Sequence, residues 1–192
     1  MGYGPGAIAF HWLTLLLVIA AYIMGLGGSE ARVYAPANDF NRAVHEVLGL
    51  SVFGLTLARL AWKLAVPSPQ LPPIAPWMNR ISKIVQGLLY LLLVVTPLSA
   101  IAGAWLEGHP LTLGVLGNVP PPIPKAQELG HRVAELHTIL GDAIVWLAGL
   151  HAAAALFHHF VLRDDVLLSM LPARWRGAVR QSSGVRVHVD PR

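Results

Sequence analysis

Four stretches of this chain are long and apolar enough to leave it few alternatives. They run over about residues 7–27, 44–66, 84–106 and 135–162. A helix needs roughly 20 residues to cross the hydrocarbon of a bilayer. Only structures that satisfy their own backbone hydrogen bonds survive there. Charged residues make up 12% of the chain against 55% hydrophobic, about half the charged share of an ordinary soluble domain. The expected fold is all-α: an integral membrane four-helix bundle embedded in a lipid bilayer. The first span could be mistaken for a secretion signal, but no Lys or Arg precedes Arg32, which favours a retained helix.

The connections are read the same way. PSPQLPPIAPWMNR, residues 67–80, is too rich in proline for a helix, and Pro97 should bend the third span. A loop of roughly 30 residues then leads to about residue 135, with AQELGHRVAELH as an amphipathic lead-in to the fourth span. Residues 1–165 form the expected bundle domain. Residues 166–192 form a basic tail expected to be poorly ordered.

Fourteen Lys and Arg residues against ten Asp and Glu give a net charge of +4. They do not form the aromatic-interleaved basic patch of a nucleic-acid binder, so nucleic acid is not an expected partner. Ten flank the connection between spans two and three or the C-terminal tail. Four (Arg32, Arg42, Lys125 and Arg132) lie on the other side. The positive-inside bias then places both termini in the cytoplasm, N-in and C-in.

The chain has no cysteine and nine histidines. Disulfides, cysteine-held zinc, iron–sulfur clusters and covalent CxxCH haem are excluded. The histidines fall into an ordered pattern. His137 and His151 are 14 residues apart in the fourth span, so they lie about 21 Å apart along a helix and within ~40° of one face. His45 opens the second span and shares a depth with His137. His11 opens the first and shares a depth with His151. A single intramembrane histidine may serve as an interhelical hydrogen bond or a proton relay, and a haem-free relay is one rival reading. Zinc or copper would gather three or four ligands at one depth. Two pairs at two depths suit two bis-histidine haems.

HEVLG (His45–Gly49) and HTILG (His137–Gly141) share the pattern HxxxG. Gly49 and Gly141 lie one turn beyond each histidine, on its face, where a flat macrocycle needs clearance. Arg59, 14 residues after His45, is placed to pair with propionates of the inner haem; a snorkelling cation is the alternative. His158, seven residues after His151, lies on nearly the same face and about 10 Å deeper. It is the candidate quinone contact, with Asp164 or Asp165 relaying protons, since imidazole titrates near neutral pH. His159 is expected at the interface. His109, His131 and His188 are expected to be solvated.

AIAFHWL, then HEVLGL with ARLAWK, then LHTILG with GLHAAAALFHHFVLRDDVLLSML resemble the prokaryotic cytochrome b561 family over about residues 7–172. The resemblance implies two non-covalent haem b groups, with iron ligated at His11, His45, His137 and His151 in the pairs His11/His151 and His45/His137. It also implies transmembrane electron transfer. Some members resemble superoxide:ubiquinone oxidoreductases, so a membrane oxidoreductase is expected. It would oxidise a small periplasmic donor such as superoxide and reduce ubiquinone. Arg42, Lys125 and Arg132 would form a basic rim steering the anion. The alternative is a b-haem anchor subunit of a hydrogenase or dehydrogenase complex.

Overall fold

The computed structural model describes residues 3–25, 27, 29–66, 75–172 and 174–176. Four long helices carry the fold: α1 (Pro5–Met24), α3 (Asp39–Ala65), α4 (Pro76–Glu107) and α5 (Gln127–Phe157), with short helices α2 (Glu30–Val33) and α6 (Val166–Ser169). All four long helices are long and apolar enough to cross a membrane. Their outer faces carry bare apolar side chains such as Ile23, Leu64 and Trp146, as expected where the surrounding solvent is lipid. The buried apolar centre is small, with Val52, Leu93 and Ile144 meeting from α3, α4 and α5.

The helices pack as two pairs. α4 lies most extensively against α5, and α1 against α3, while α3 reaches across to α4. The α4–α5 pair is drawn close by glycine. A Cβ on Gly130 would sit 2.8 Å from Glu107 Cγ and from its backbone nitrogen, and one on Gly103 would sit 3.2 Å from the Ala134 nitrogen. α5 approaches α1 and α3 far less closely. Tyr22 Oη spans the gap by donating to Asp142 Oδ1 at 2.9 Å.

Buried hydroxyls on the spans mostly satisfy themselves. Thr14 donates to the Phe10 carbonyl at 2.6 Å and Thr56 to the Val52 carbonyl at 2.7 Å. Such bonds to the preceding turn let a polar residue sit inside a membrane helix.

The two ends of the bundle differ. At one end, β1 (Leu111–Thr112) and β2 (Asn118–Val119) form a small antiparallel hairpin. It is fastened to α3 where the Thr112 N–H donates to Glu46 Oε2 at 2.6 Å; this is the hairpin end. At the other, the start of α1 meets the C-terminal segment. The Tyr3 N–H donates to the Ser169 carbonyl at 3.1 Å, and Trp12 Nε1 donates to that of Met170 at 2.9 Å; this is the termini end.

Several boundaries move from the sequence reading. α4 begins at Pro76, inside the stretch read as non-helical. Proline is tolerated in the first turn of a helix, where its missing N–H has no partner to lose. Residues 67–74 of that stretch lie outside the described residues. The long loop shrinks to residues 108–126 because the lead-in is the first part of α5. The tail is folded at its start, where Leu168 and Ser169 are buried and held by the hydrogen bonds just named; residues 177–192 lie outside the described residues.

Candidate functional site

The spacing of the four spans brings the predicted histidines together in pairs. The rings of His45 on α3 and His137 on α5 face each other with centres 6.0 Å apart. Those of His11 on α1 and His151 on α5 lie 6.5 Å apart. Each pair joins the α1–α3 half of the bundle to α5, across the gap where the backbones stay apart. A metal bonded to one nitrogen of each ring at about 2 Å holds the two ring centres roughly 6 Å apart. Both pairs meet that requirement.

At the hairpin end the second nitrogen of each ring is already committed. His45 Nδ1 donates to the Ala21 carbonyl at 2.8 Å, and His137 Nδ1 donates to the Thr96 carbonyl at 2.9 Å. A ligand histidine characteristically gives its other N–H to such an acceptor, which fixes the tautomer and aims Nε2 at the metal. The two acceptors arise from the local chain. Ala21 lies in the last turn of α1, where carbonyls lack intrahelical donors, and the Gly25 N–H turns to Tyr22 instead. Thr96 immediately precedes Pro97 inside α4, and Ser99 Oγ donates to the same carbonyl at 2.7 Å. Thr96 Oγ1 is buried with no hydrogen-bond partner among the described residues.

Clearance lies where the HxxxG pattern places it. A Cβ on Gly49 or on Gly141 would meet nothing within 4 Å. The imidazole pairs, the committed Nδ1 atoms and these glycines together fit a planar iron macrocycle.

Arg59 acts electrostatically on both His11 and His151. Its guanidinium also lies 5.3 Å from the centre of the Tyr90 ring, with Lys63 Nζ at 5.2 Å. Burial pushes the nearby Tyr3 hydroxyl above its ordinary value.

Beyond Phe157 the helix widens into a π turn over His158–Leu162, and Arg163 takes a left-handed conformation to reverse the chain. The extra residue per turn changes which side chain faces inward. His159, expected at the interface, is 2% exposed, and its Nδ1 has no hydrogen-bond partner among the described residues. His158 keeps a side-chain exposure of 15% and pairs through Nδ1 with Asp164 Oδ2 at 2.5 Å. Asp164 Oδ1 accepts the Val166 N–H at 3.0 Å, which starts α6. π turns of this kind concentrate at functional sites.

Three readings of the hairpin end are corrected. The basic rim is largely neutralised in place: Arg42 is held by Asp39 at 3.1 Å and Glu46 at 2.8 Å, and Arg132 by Glu128 at 3.0 Å. His109 is not simply solvated. Its Nε2 meets Glu30 Oε1 at 2.8 Å and its ring stacks on Tyr34 with centres 3.4 Å apart. That hydrogen bond holds Glu30 below the usual carboxylate range, while burial pushes the Tyr34 hydroxyl up. His131 lies on α5 rather than in a loop, half-exposed and 3.4 Å from Glu135. His188 lies outside the described residues. Sequence reasoning missed Glu30, Tyr34 and the backbone acceptors at Ala21 and Thr96. Carbonyls carry no signature in a sequence, and Glu30 meets its partner only through the fold.

A membrane four-helix bundle with facing imidazole pairs spaced for an iron is the framework of a b-type cytochrome. The chain belongs to the prokaryotic cytochrome b561 family, whose model matches residues 2–173. It is 31% identical over 174 residues to the probable superoxide oxidase CybB of Yersinia pestis, covering 87% of this chain and 94% of that one. It is 30% identical to cytochrome b561 homolog 1 of Escherichia coli, covering 87% and 95%. It is also 31% identical to cytochrome b562 of Cereibacter sphaeroides, covering 90% and 97%. The family makes this a multi-pass protein of the bacterial inner membrane that carries electrons with haem b.

Proposed function

We propose that the chain passes electrons across the membrane through two haem b groups, one held by His45 and His137 and the other by His11 and His151. It oxidises a small periplasmic donor and reduces ubiquinone. The observation that carries this reading is the pair of imidazole separations, 6.0 Å and 6.5 Å, each matched to one iron. The basic residues orient the molecule with the hairpin end in the periplasm and the termini end in the cytoplasm. Superoxide is the proposed donor, because the similar protein of Yersinia pestis is a probable superoxide oxidase.

Haem held by these histidine pairs would supply one-electron transfer. The residues do the rest. His45 and His137 present Nε2 with their tautomers fixed by Ala21 and Thr96. Gly49 and Gly141 leave the plane between them clear of side chains, and Arg59 places a positive charge where propionates of the second group would end. His158, bonded through Nδ1 to Asp164, has Nε2 left to hydrogen-bond a quinone carbonyl. Asp164 can replenish its proton from the cytoplasmic side, which quinone reduction consumes.

Haem-to-protein stoichiometry of the purified chain tests the reading. Two haems per chain are expected. His45→Ala and His137→Ala should deplete one spectral species, and His11→Ala and His151→Ala the other. Depletion of different species by His45→Ala and His137→Ala would refute the pairing. A protein without a Soret band would refute haem binding altogether. Superoxide-driven reduction, followed by reoxidation with a soluble ubiquinone, then tests the donor and acceptor.

A further inference from the structure

At the hairpin end, away from the imidazole pairs, three side chains from separate segments converge. Glu30 comes from the start of α2, Glu107 from the last residue of α4, and His109 from just beyond it. One ligand atom from each lies within 4.8 Å of the other two. We propose that Glu30, Glu107 and His109 form a binding site for one divalent transition-metal ion.

The site is built rather than incidental. Glu107 is 4% exposed, yet its carboxylate makes no hydrogen bond among the described residues. His131 Nδ1 stands 4.0 Å away, beyond hydrogen-bonding distance. A buried carboxylate in that condition, beside a second carboxylate, costs free energy unless a cation joins it. Its position is fixed by Gly130, since a Cβ there would strike Glu107 Cγ at 2.8 Å. The other two ligands are held from outside. Gln127 Nε2 donates to Glu30 Oε2 at 2.7 Å, and Tyr34 lies flat on the His109 ring. Gly108, at φ +85°, turns the chain between Glu107 and His109 so that both face one point. Supporting contacts of this kind are what a metal site needs besides its ligands.

The donor set selects the ion class. Two carboxylate oxygens and one imidazole nitrogen suit zinc or manganese better than calcium or magnesium, which prefer oxygen alone. A four-coordinate ion with bonds of about 2 Å spaces its ligand atoms roughly 3.4 Å apart, so small side-chain rotations close the set around it. The ion would replace the proton now shared by His109 and Glu30. It would clasp the segment after α1 to the α4–α5 connection.

The test uses the full, haem-loaded chain in nanodiscs, stripped with EDTA, so that haem ligands are not free to bind the probe. Zinc is the probe, with retained metal counted by mass spectrometry after desalting and affinity read by competition with a chelating dye. One zinc per chain is expected. His109→Gln and Glu107→Gln should each weaken zinc by at least about tenfold, with haem content and spectrum unchanged, and His131→Ala should leave affinity intact. Absence of zinc on the wild-type chain would overturn the proposal without reference to any variant. Undiminished binding by His109→Gln would also overturn it, as would displacement of zinc by equimolar calcium.

Discussion

The two histidine pairs are alike in spacing and unlike in support. At the hairpin end both rings are anchored by backbone carbonyls, His45 to Ala21 and His137 to Thr96. At the termini end, neither ring of His11 or His151 makes a hydrogen bond among the described residues, and the dominant neighbour is the Arg59 charge. One site is organised by hydrogen bonds to the backbone of its neighbouring helices. The other is organised by electrostatics, with ring orientation left to coordination and packing. A hydrogen bond to the nitrogen turned away from the metal raises ligand basicity as well as fixing the ring, so the two proposed haems should differ in potential and in tightness.

The strongest way to break this comparison is a chase experiment. Excess apomyoglobin should strip the termini-end haem at least about tenfold faster than the hairpin-end haem, as supporting contacts are typically worth 10–100-fold in affinity. Equal loss rates, followed by their separate spectra, would show that the carbonyl anchors contribute nothing.

His158→Ala should leave both haem spectra intact while slowing reoxidation by quinone on the order of 100-fold, the lower range of general acid–base effects. Asp164→Asn should slow it less. Loss of the termini-end haem in His158→Ala would make His158 a structural residue. Unchanged kinetics would move the quinone to the hairpin end.

Arg59→Gln removes a positive charge that favours the reduced iron. The midpoint potential of the termini-end haem should fall by on the order of 60 mV, a tenfold change for one electron, while the other shifts little. Redox titration of both bands reads this directly, and a shift confined to the hairpin-end haem would reverse the assignment of Arg59.

The smallest effect concerns clearance. Gly141→Ala meets no protein atom within 4 Å and should stabilise the haem-free chain by up to about 1 kcal/mol through helix propensity. Any weakening of the hairpin-end haem in the same variant then reports contact with the macrocycle alone. Thermal unfolding of the apoprotein and haem titration separate the two.

The spans and the facing of the histidines in pairs were legible because each rests on helical periodicity, which a sequence writes explicitly. Helix ends were less legible. Pro76 reads as a breaker although the first turn of α4 accepts it, and the amphipathic lead-in to the fourth span is the first part of α5 itself. His159 was misplaced because a uniform 100° step cannot anticipate a π turn. The cluster around Glu107 was invisible, since Glu30 lies 77 residues before it and nothing local marks the encounter. His109 was assigned to solvent from its loop position, with no sign of Tyr34 covering it.

The division of the bundle into two helix pairs has a consequence for how the protein is made. α1 and α3 emerge from the ribosome first and can enter the membrane as one hairpin, and α4 and α5 follow as a second. Every histidine pair takes one ring from each hairpin: His11 and His45 from the first, His137 and His151 from the second. On the proposed ligation, neither site would have both of its histidines until α5 has been synthesised and docked. The Val52, Leu93 and Ile144 contact and the Tyr22–Asp142 hydrogen bond already join the hairpins, so a cofactor held as proposed would add two further ties between them.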